Sequence, residues 1–196
     1  MPYLLYIHGF NSSDKSEKAN VLKSYAEPLG LASYILSPCL SWQPKKAIAQ
    51  LECLIETHLD EGITLIGSSL GGFYASYLAE KYKIKAILVN PAVQAPQLLT
   101  AHLGQQHNPY TGEEYVLTQE QMAELKALVV AQPSASLYWL MVQEGDETLD
   151  YRAALDNFQS VARLTQEKGG NHRFVDFENH AKDIFEYANL IPIADS

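Results

Sequence analysis

Thr64-Leu65-Ile66-Gly67-Ser68-Ser69-Leu70-Gly71-Gly72-Phe73-Tyr74-Ala75 is the stretch on which the reading of this chain turns. An apolar run ends in Gly-x-Ser-x-Gly, and residues at helical spacing follow at once. That order predicts a strand, a sharp turn and a helix, with Ser69 at the tip of the turn. A serine so placed stands clear of a sheet, beside a helix N-terminus. The turn is strained and crowded, and glycines at Gly67 and Gly71 remove the side chains that would meet neighbouring backbone. A plain glycine-rich βα turn has the same pattern, so what surrounds it has to discriminate.

Upstream of this turn, the spacing of Ile48, Leu51, Leu54, Ile55 and Leu59 predicts a helix from Pro44 to Asp60, broken by Gly62. Residues 3–7 read as a buried strand, 14–29 as a helix with Ala19, Leu22, Ala26 and Leu29 on one face, and 33–36 as a short strand. Downstream, 70–82 reads as a helix and 84–89 as a buried strand stopped by Asn90-Pro91. Strand and helix alternate throughout, which implies right-handed crossovers and a parallel sheet with helices on both faces. The rhythm fails over 92–133, where no strong strand is seen. Helices are expected at 96–103 and 118–130, the second opened by the capping box Thr118-Gln119-Glu120-Gln121 and carrying Met122, Leu125, Leu128 and Val129. Residues 105–112 between them are polar and turn-rich. Such an insertion reads as a helical lid, the alternative being a helical embellishment over an edge. The rhythm resumes with strands at 136–143 and 161–164 and helices at 151–158 and 181–190, the last with Ile184, Phe185 and Ala188 inward. The expectation is one α/β domain over 1–196: three layers, a mostly parallel sheet of about six strands, and a lid at about 92–133.

Composition bounds the function. With 196 residues, 47% hydrophobic and 19% charged, the chain can bury a sizeable core as a soluble globular protein. A net charge of -9 gives no basic face for nucleic acid and repels anionic membranes. No window is long enough to span a membrane, and Met1 to His8 lacks the basic start of a signal peptide. Cys39 and Cys53 form neither a CxxC pair nor a zinc spacing, and are expected as buried or partly buried free thiols in a reducing compartment. A cytoplasmic protein is expected.

A serine hydroxyl needs a base, a group to orient the base, and donors for an oxyanion. In a parallel sheet these collect at the carboxyl ends of strands. His8-Gly9-Phe10 follows the first strand, so the Phe10 N–H is the expected oxyanion donor beside the N–H of Leu70. His8 itself reads as a loop brace. After the 136–143 strand, Asp146 is the preferred acid because Gly145 supplies the turn and Leu149 packs the loop. Glu144, Glu147 and Asp150 are its rivals, Asp150 reading better as a helix N-cap. After the last strand, His172 beside two glycines is preferred over His180, which starts the final helix. The order Ser69, Asp146, His172 is that of the α/β-hydrolases. His58, His102 and His107 offer no metal-ligand spacing, and neither metal nor cofactor is called for.

At these residues the chain resembles the YqiA-type esterases, a family of small bacterial α/β-hydrolases. The resemblance rests on Tyr6-Ile7-His8-Gly9-Phe10-Asn11-Ser12, Gly67-Ser68-Ser69-Leu70-Gly71-Gly72, Asn90-Pro91-Ala92, Asn108-Pro109-Tyr110-Thr111-Gly112-Glu113, the run from Gly145 to Arg152, and Gly170-Asn171-His172. It implies esterase activity on small-molecule acyl esters, with acyl-CoA thioesters as a further substrate class, and a triad of Ser69, Asp146 and His172. The same scaffold also serves thioesterases and other acyl hydrolases, and a protein-binding module that kept the fold is the alternative from outside enzymology.

Overall fold

The computed structural model describes residues 1–193. Along the chain run β1 (Tyr3–Ile7), α1 (Glu17–Ala26), β2 (Ile35–Leu36), α2 (Pro44–His58), β3 (Ile63–Ser68), α3 (Leu70–Tyr82), β4 (Ala86–Val89), α4 (Ala95–Thr100), β5 (Gly104–His107), β6 (Glu114–Leu117), α5 (Gln119–Lys126), β7 (Tyr138–Gln143), α6 (Tyr151–Asn157), β8 (Arg163–Glu167) and α7 (Ala181–Tyr187). Six strands pair in the order β2-β1-β3-β4-β7-β8, all parallel.

Successive side chains of a strand point to opposite faces, and both faces of this sheet are covered. Leu5, Ile7, Leu65, Leu88, Leu140 and Val142 pack on one side with residues of α2, α3 and α6. Leu4, Tyr6, Ile66, Ile87, Trp139 and Met141 pack on the other with α1 and α7. Burial on both faces is why these strands read as unbroken apolar runs. The expected three layers and parallel sheet are what the chain forms.

Three expectations are corrected. The segment 92–133 is not wholly helical, because β5 and β6 form a separate antiparallel hairpin. β6 alternates, with Tyr115 and Leu117 buried and Glu114 and Val116 outward, whereas β5 is Gly-Gln-Gln-His and has no apolar pattern to read. Its backbone is held by the partner strand, and the Asn108 side chain organises the turn by accepting from the N–H groups of Tyr110 and Thr111. Second, Leu29 and Val129 do not face the core; they are 47% and 51% exposed. Each lies beyond an α-helix that ends early: α1 stops before Pro28, which has no N–H to continue the ladder, and α5 stops at Lys126. Third, both cysteines are exposed, Cys53 on the outer side of α2 and Cys39 in the loop before it.

The strand order places the site. From β1 the chain moves to β2 on one side and then crosses to β3 on the other. The crevice at the carboxyl ends of β1 and β3 is therefore a switch point, where ligands of such sheets collect. Backbones meet there without room for side chains: a Cβ on Gly71 would lie 1.9 Å from the Ile7 carbonyl oxygen, and one on Gly67 would lie 2.1 Å from that of Gly71. Gly71→Ala is expected to cost about 3 kcal/mol or more in urea unfolding. Gly112→Ala, at a φ of +74° with open space around it, should cost about 1–2 kcal/mol.

Candidate active site

Ser69 joins β3 to α3 with φ 56° and ψ -120°. A positive φ is costly for a residue with a Cβ and persists where the surroundings enforce it. Here the Ser69 N–H donates to the Val89 carbonyl at 3.1 Å, and its own carbonyl accepts from Gly72 and Ala92, each at 3.0 Å. The turn presents the side chain at the crevice, half-buried.

His172 reaches this serine from the loop after β8. Its Nε2 lies 3.2 Å from Ser69 Oγ, and its Nδ1 lies 2.8 Å from Asp146 Oδ2. An ionised carboxylate only accepts, so Nδ1 carries the proton and Nε2 turns its lone pair to the serine hydroxyl. Asp146 is held in turn: its Oδ1 accepts from the N–H groups of Thr148 and Leu149, both at 2.8 Å. The Asp146 side chain is 2% exposed. Burial pushes its pKa up, but the hydrogen bonds from His172, Leu149 and Thr148 outweigh that and hold it below the ordinary value of 3.8.

The rivals have other tasks. Asp150 caps α6 by accepting from the Arg152 N–H. Glu144 accepts from Gln166. Glu147 accepts from the His172 N–H, which fixes the backbone of that loop. His180 pairs with Glu167 at 2.9 Å. His8 is a brace: burial lowers its pKa and keeps it neutral, its Nδ1–H donates to the Gly9 carbonyl, and its Nε2 accepts from the Leu40 N–H.

Gly9 packs against the turn, since a Cβ there would lie 3.3 Å from that of Ser69. This brings the Phe10 backbone beside the serine. Leu70 is the first residue of α3, so its N–H has no intrahelical acceptor. Phe10, Ser69 and His172 line one cavity of about 280 Å³. The 92–133 segment borders it through Tyr110 and is tied to the Phe10–Ser12 loop. Tyr115 donates to Asn11 Oδ1 at 2.6 Å, and the Asn108 amide donates to the Ser12 carbonyl at 3.0 Å.

Residues 3–189 match the profile of the uncharacterised protein family UPF0227. The chain belongs to that family. UPF0227 is the YqiA-like family whose motifs the sequence carries, and this member has the α/β-hydrolase fold. Est1E from Butyrivibrio proteoclasticus, solved with ferulic acid bound, is similar with a TM-score of 0.70 at 13% identity, over 97% of this chain and 90% of that one. The mouse alpha/beta hydrolase domain-containing protein 10 gives 0.67 at 16% identity, over 95% and 89%. The Paleococcus ferrophilus monoacylglycerol lipase gives 0.65 at 16%, over 95% and 93%. At such identities the likeness is one of fold.

Two buried amides of this UPF0227 chain escaped the reading of the sequence. Asn90, at the end of β4, donates to the carbonyls of Asn171 at 3.1 Å and His172 at 3.2 Å, and accepts from the Gln143 N–H at 3.0 Å. Gln143, ending β7, accepts from the N–H groups of Asn171 and Val175 and donates to Glu167 and the Val175 carbonyl. Together they anchor the His172 loop. The available signal was a polar residue closing a fully apolar strand. Asn90→Ala leaves several buried groups unpaired and should lower stability by about 1–3 kcal/mol, read by urea unfolding. A second expectation concerns acid. A depressed native pKa for Asp146 adds stability that is complete above the ordinary value of 3.8 and is lost as pH falls through the native value. The stability gap between wild type and Asp146→Asn should therefore shrink on going from pH about 5 to pH about 3.

Proposed function

We propose that this chain is a serine hydrolase that cleaves acyl esters through an acyl-enzyme. The observation that carries the reading is the continuous hydrogen-bonded path Ser69 Oγ, His172 Nε2, His172 Nδ1, Asp146 Oδ2, with separations of 3.2 and 2.8 Å. In this reading His172 Nε2 takes the proton of Ser69 as Oγ attacks the ester carbonyl carbon. Asp146 holds the imidazole in the tautomer that permits this and stabilises the imidazolium that results. The N–H groups of Phe10 and Leu70 receive the developing oxyanion; one such donor is typically worth about 10²–10³ in rate. The tetrahedral intermediate collapses, the C–O bond to the leaving alcohol breaks, and His172 returns its proton to that oxygen. Water then repeats the sequence on the acyl-enzyme and releases the acid and free Ser69. Thioesters fit the same steps with sulfur as the leaving atom. The segment 92–133 serves as a cap, supported by its hydrogen bonds to Asn11 and Ser12 and by Tyr110 at the cavity rim.

The test is turnover of 4-nitrophenyl butyrate. Ser69→Ala and His172→Gln are each expected to lower kcat by about 10⁶, and Asp146→Asn by about 10⁴ with the fold intact by circular dichroism. Asp150→Asn and His180→Gln should stay within about threefold of wild type, since neither side chain approaches Ser69 and asparagine keeps the cap. Wild-type turnover in Ser69→Ala would refute the assignment.

A further inference from the structure

We infer that the Ser69 cavity selects esters carrying a negative charge, with the Lys18 ammonium and the Arg173 guanidinium as the groups that receive it. The inference rests on Ser69 being the nucleophile and adds the class of substrate.

Lys18 is the second residue of α1 and lines the same cavity as Ser69 and His172. It is 8% exposed. Lysine is almost never buried without a partner. Among the described residues no carboxylate pairs with this ammonium, and the ring of Phe177 lies 5.9 Å away. Among the described residues no buried side-chain nitrogen or oxygen is left sealed without a hydrogen bond, so the unbonded ammonium keeps some contact with accessible space. Burial lowers its pKa to about 8, Glu17 pulls it up and Arg173 pushes it down further. It is still predominantly charged at neutral pH.

Arg173 follows His172 directly and lines the cavity too. Its backbone is fixed by a hydrogen bond from its N–H to Asn171 Oδ1 at 2.9 Å. Among the described residues its guanidinium has no carboxylate partner. Two cations lining one cavity repel each other, and an anion between them removes that cost. Among the described residues Glu17 is the one carboxylate on the wall of the Ser69 cavity, so that wall is net positive in a chain of net charge -9, whereas a neighbouring cavity that Lys18 and Arg173 also line adds Asp176 and Glu178 to Glu17. Glu17, Tyr110 and Arg173 also line a second, open groove of about 710 Å³ that adds Lys15 and Glu178. A carboxylate on the acyl or alcohol part of the ester suits this pair, because the planar guanidinium and the ammonium both donate charge-assisted hydrogen bonds to it.

The experiment compares mono-4-nitrophenyl adipate with 4-nitrophenyl hexanoate, and 4-acetoxybenzoate with its methyl ester. The first pair puts the charge on the acyl side and the second on the alcohol side. Wild type should prefer the charged member of at least one pair. Lys18→Met and Arg173→Gln should each cut the charged-to-neutral ratio of kcat/KM for that pair by about 10- to 100-fold. Turnover of the neutral esters with ratios that neither substitution moves would overturn the inference and leave the role of Ser69 standing. Turnover of none of the four would refute the role of Ser69 instead. Calorimetric titration of monomethyl adipate then decides the anion site without turnover. A loss of about tenfold or more in affinity from Ser69→Ala to the Ser69→Ala, Lys18→Met double variant supports it. Equal affinities, or no binding to Ser69→Ala, overturn it.

Discussion

The carbonyl oxygen of Ile7 lies 1.9 Å from where a side chain on Gly71 would begin. This backbone approach, at the carboxyl ends of β1 and β3, determines what can sit in the crevice. It lets the first turn of α3 descend onto the end of β1, so that Gly9 packs on Ser69 and Phe10 follows beside it. It also forces the chain through a tight turn at Ser69, whose φ of 56° is held by bonds to β4 and to Ala92. The strain is local, and regular parallel pairing on both sides supports it.

Around that fixed turn, loops from three other strands are drawn in by polar contacts. His8, after β1, ties its loop to the segment leading into α2 through Leu40. Asp146, after β7, is held by two of its own loop's amides. The His172 loop, after β8, is anchored from outside by Asn90, Gln143 and Glu147. Its precision therefore comes from neighbouring strand ends, and the two glycines before His172 serve fit as much as freedom. Gly170, at φ +72°, leaves no room for a Cβ, which would meet the Gln143 side chain at 2.0 Å.

Much of this was legible in the sequence, for physical reasons. A sheet covered on both faces writes continuous apolar runs, so the strands through Tyr6, Ile66, Ile87 and Leu140 could be read directly. Ser69 and Asp146 could be named because each follows such a run, and His172 because it lies beside two glycines after the last strand; the three come together in space. The hairpin at 104–107 and 114–117 could not, because one of its strands is polar and owes its form to its partner. Leu29 was placed on one face of a helix, and Val129 within another, on helical spacing that stops holding once the helix has ended. Asn90 and Gln143 were invisible as anchors because their partners are carbonyls and amides 28 to 82 residues away. Lys18 was invisible for a similar reason: no local pattern says that a lysine in a helix's first turn is covered by Phe177 and faces the same cavity as Ser69.

Ser69 thus sits on a rigid turn, His172 is held by distant strand ends, and the cavity has two cations at its wall and a hairpin-bearing segment at its rim. On this account Ser69 is the residue that becomes acylated. The most direct measurement is mass spectrometry of the protein after treatment with a fluorophosphonate, followed by peptide mapping. The account predicts one adduct, on Ser69, absent in Ser69→Ala and formed far more slowly in His172→Gln. An adduct on another residue, or equal labelling of wild type and Ser69→Ala, would contradict it.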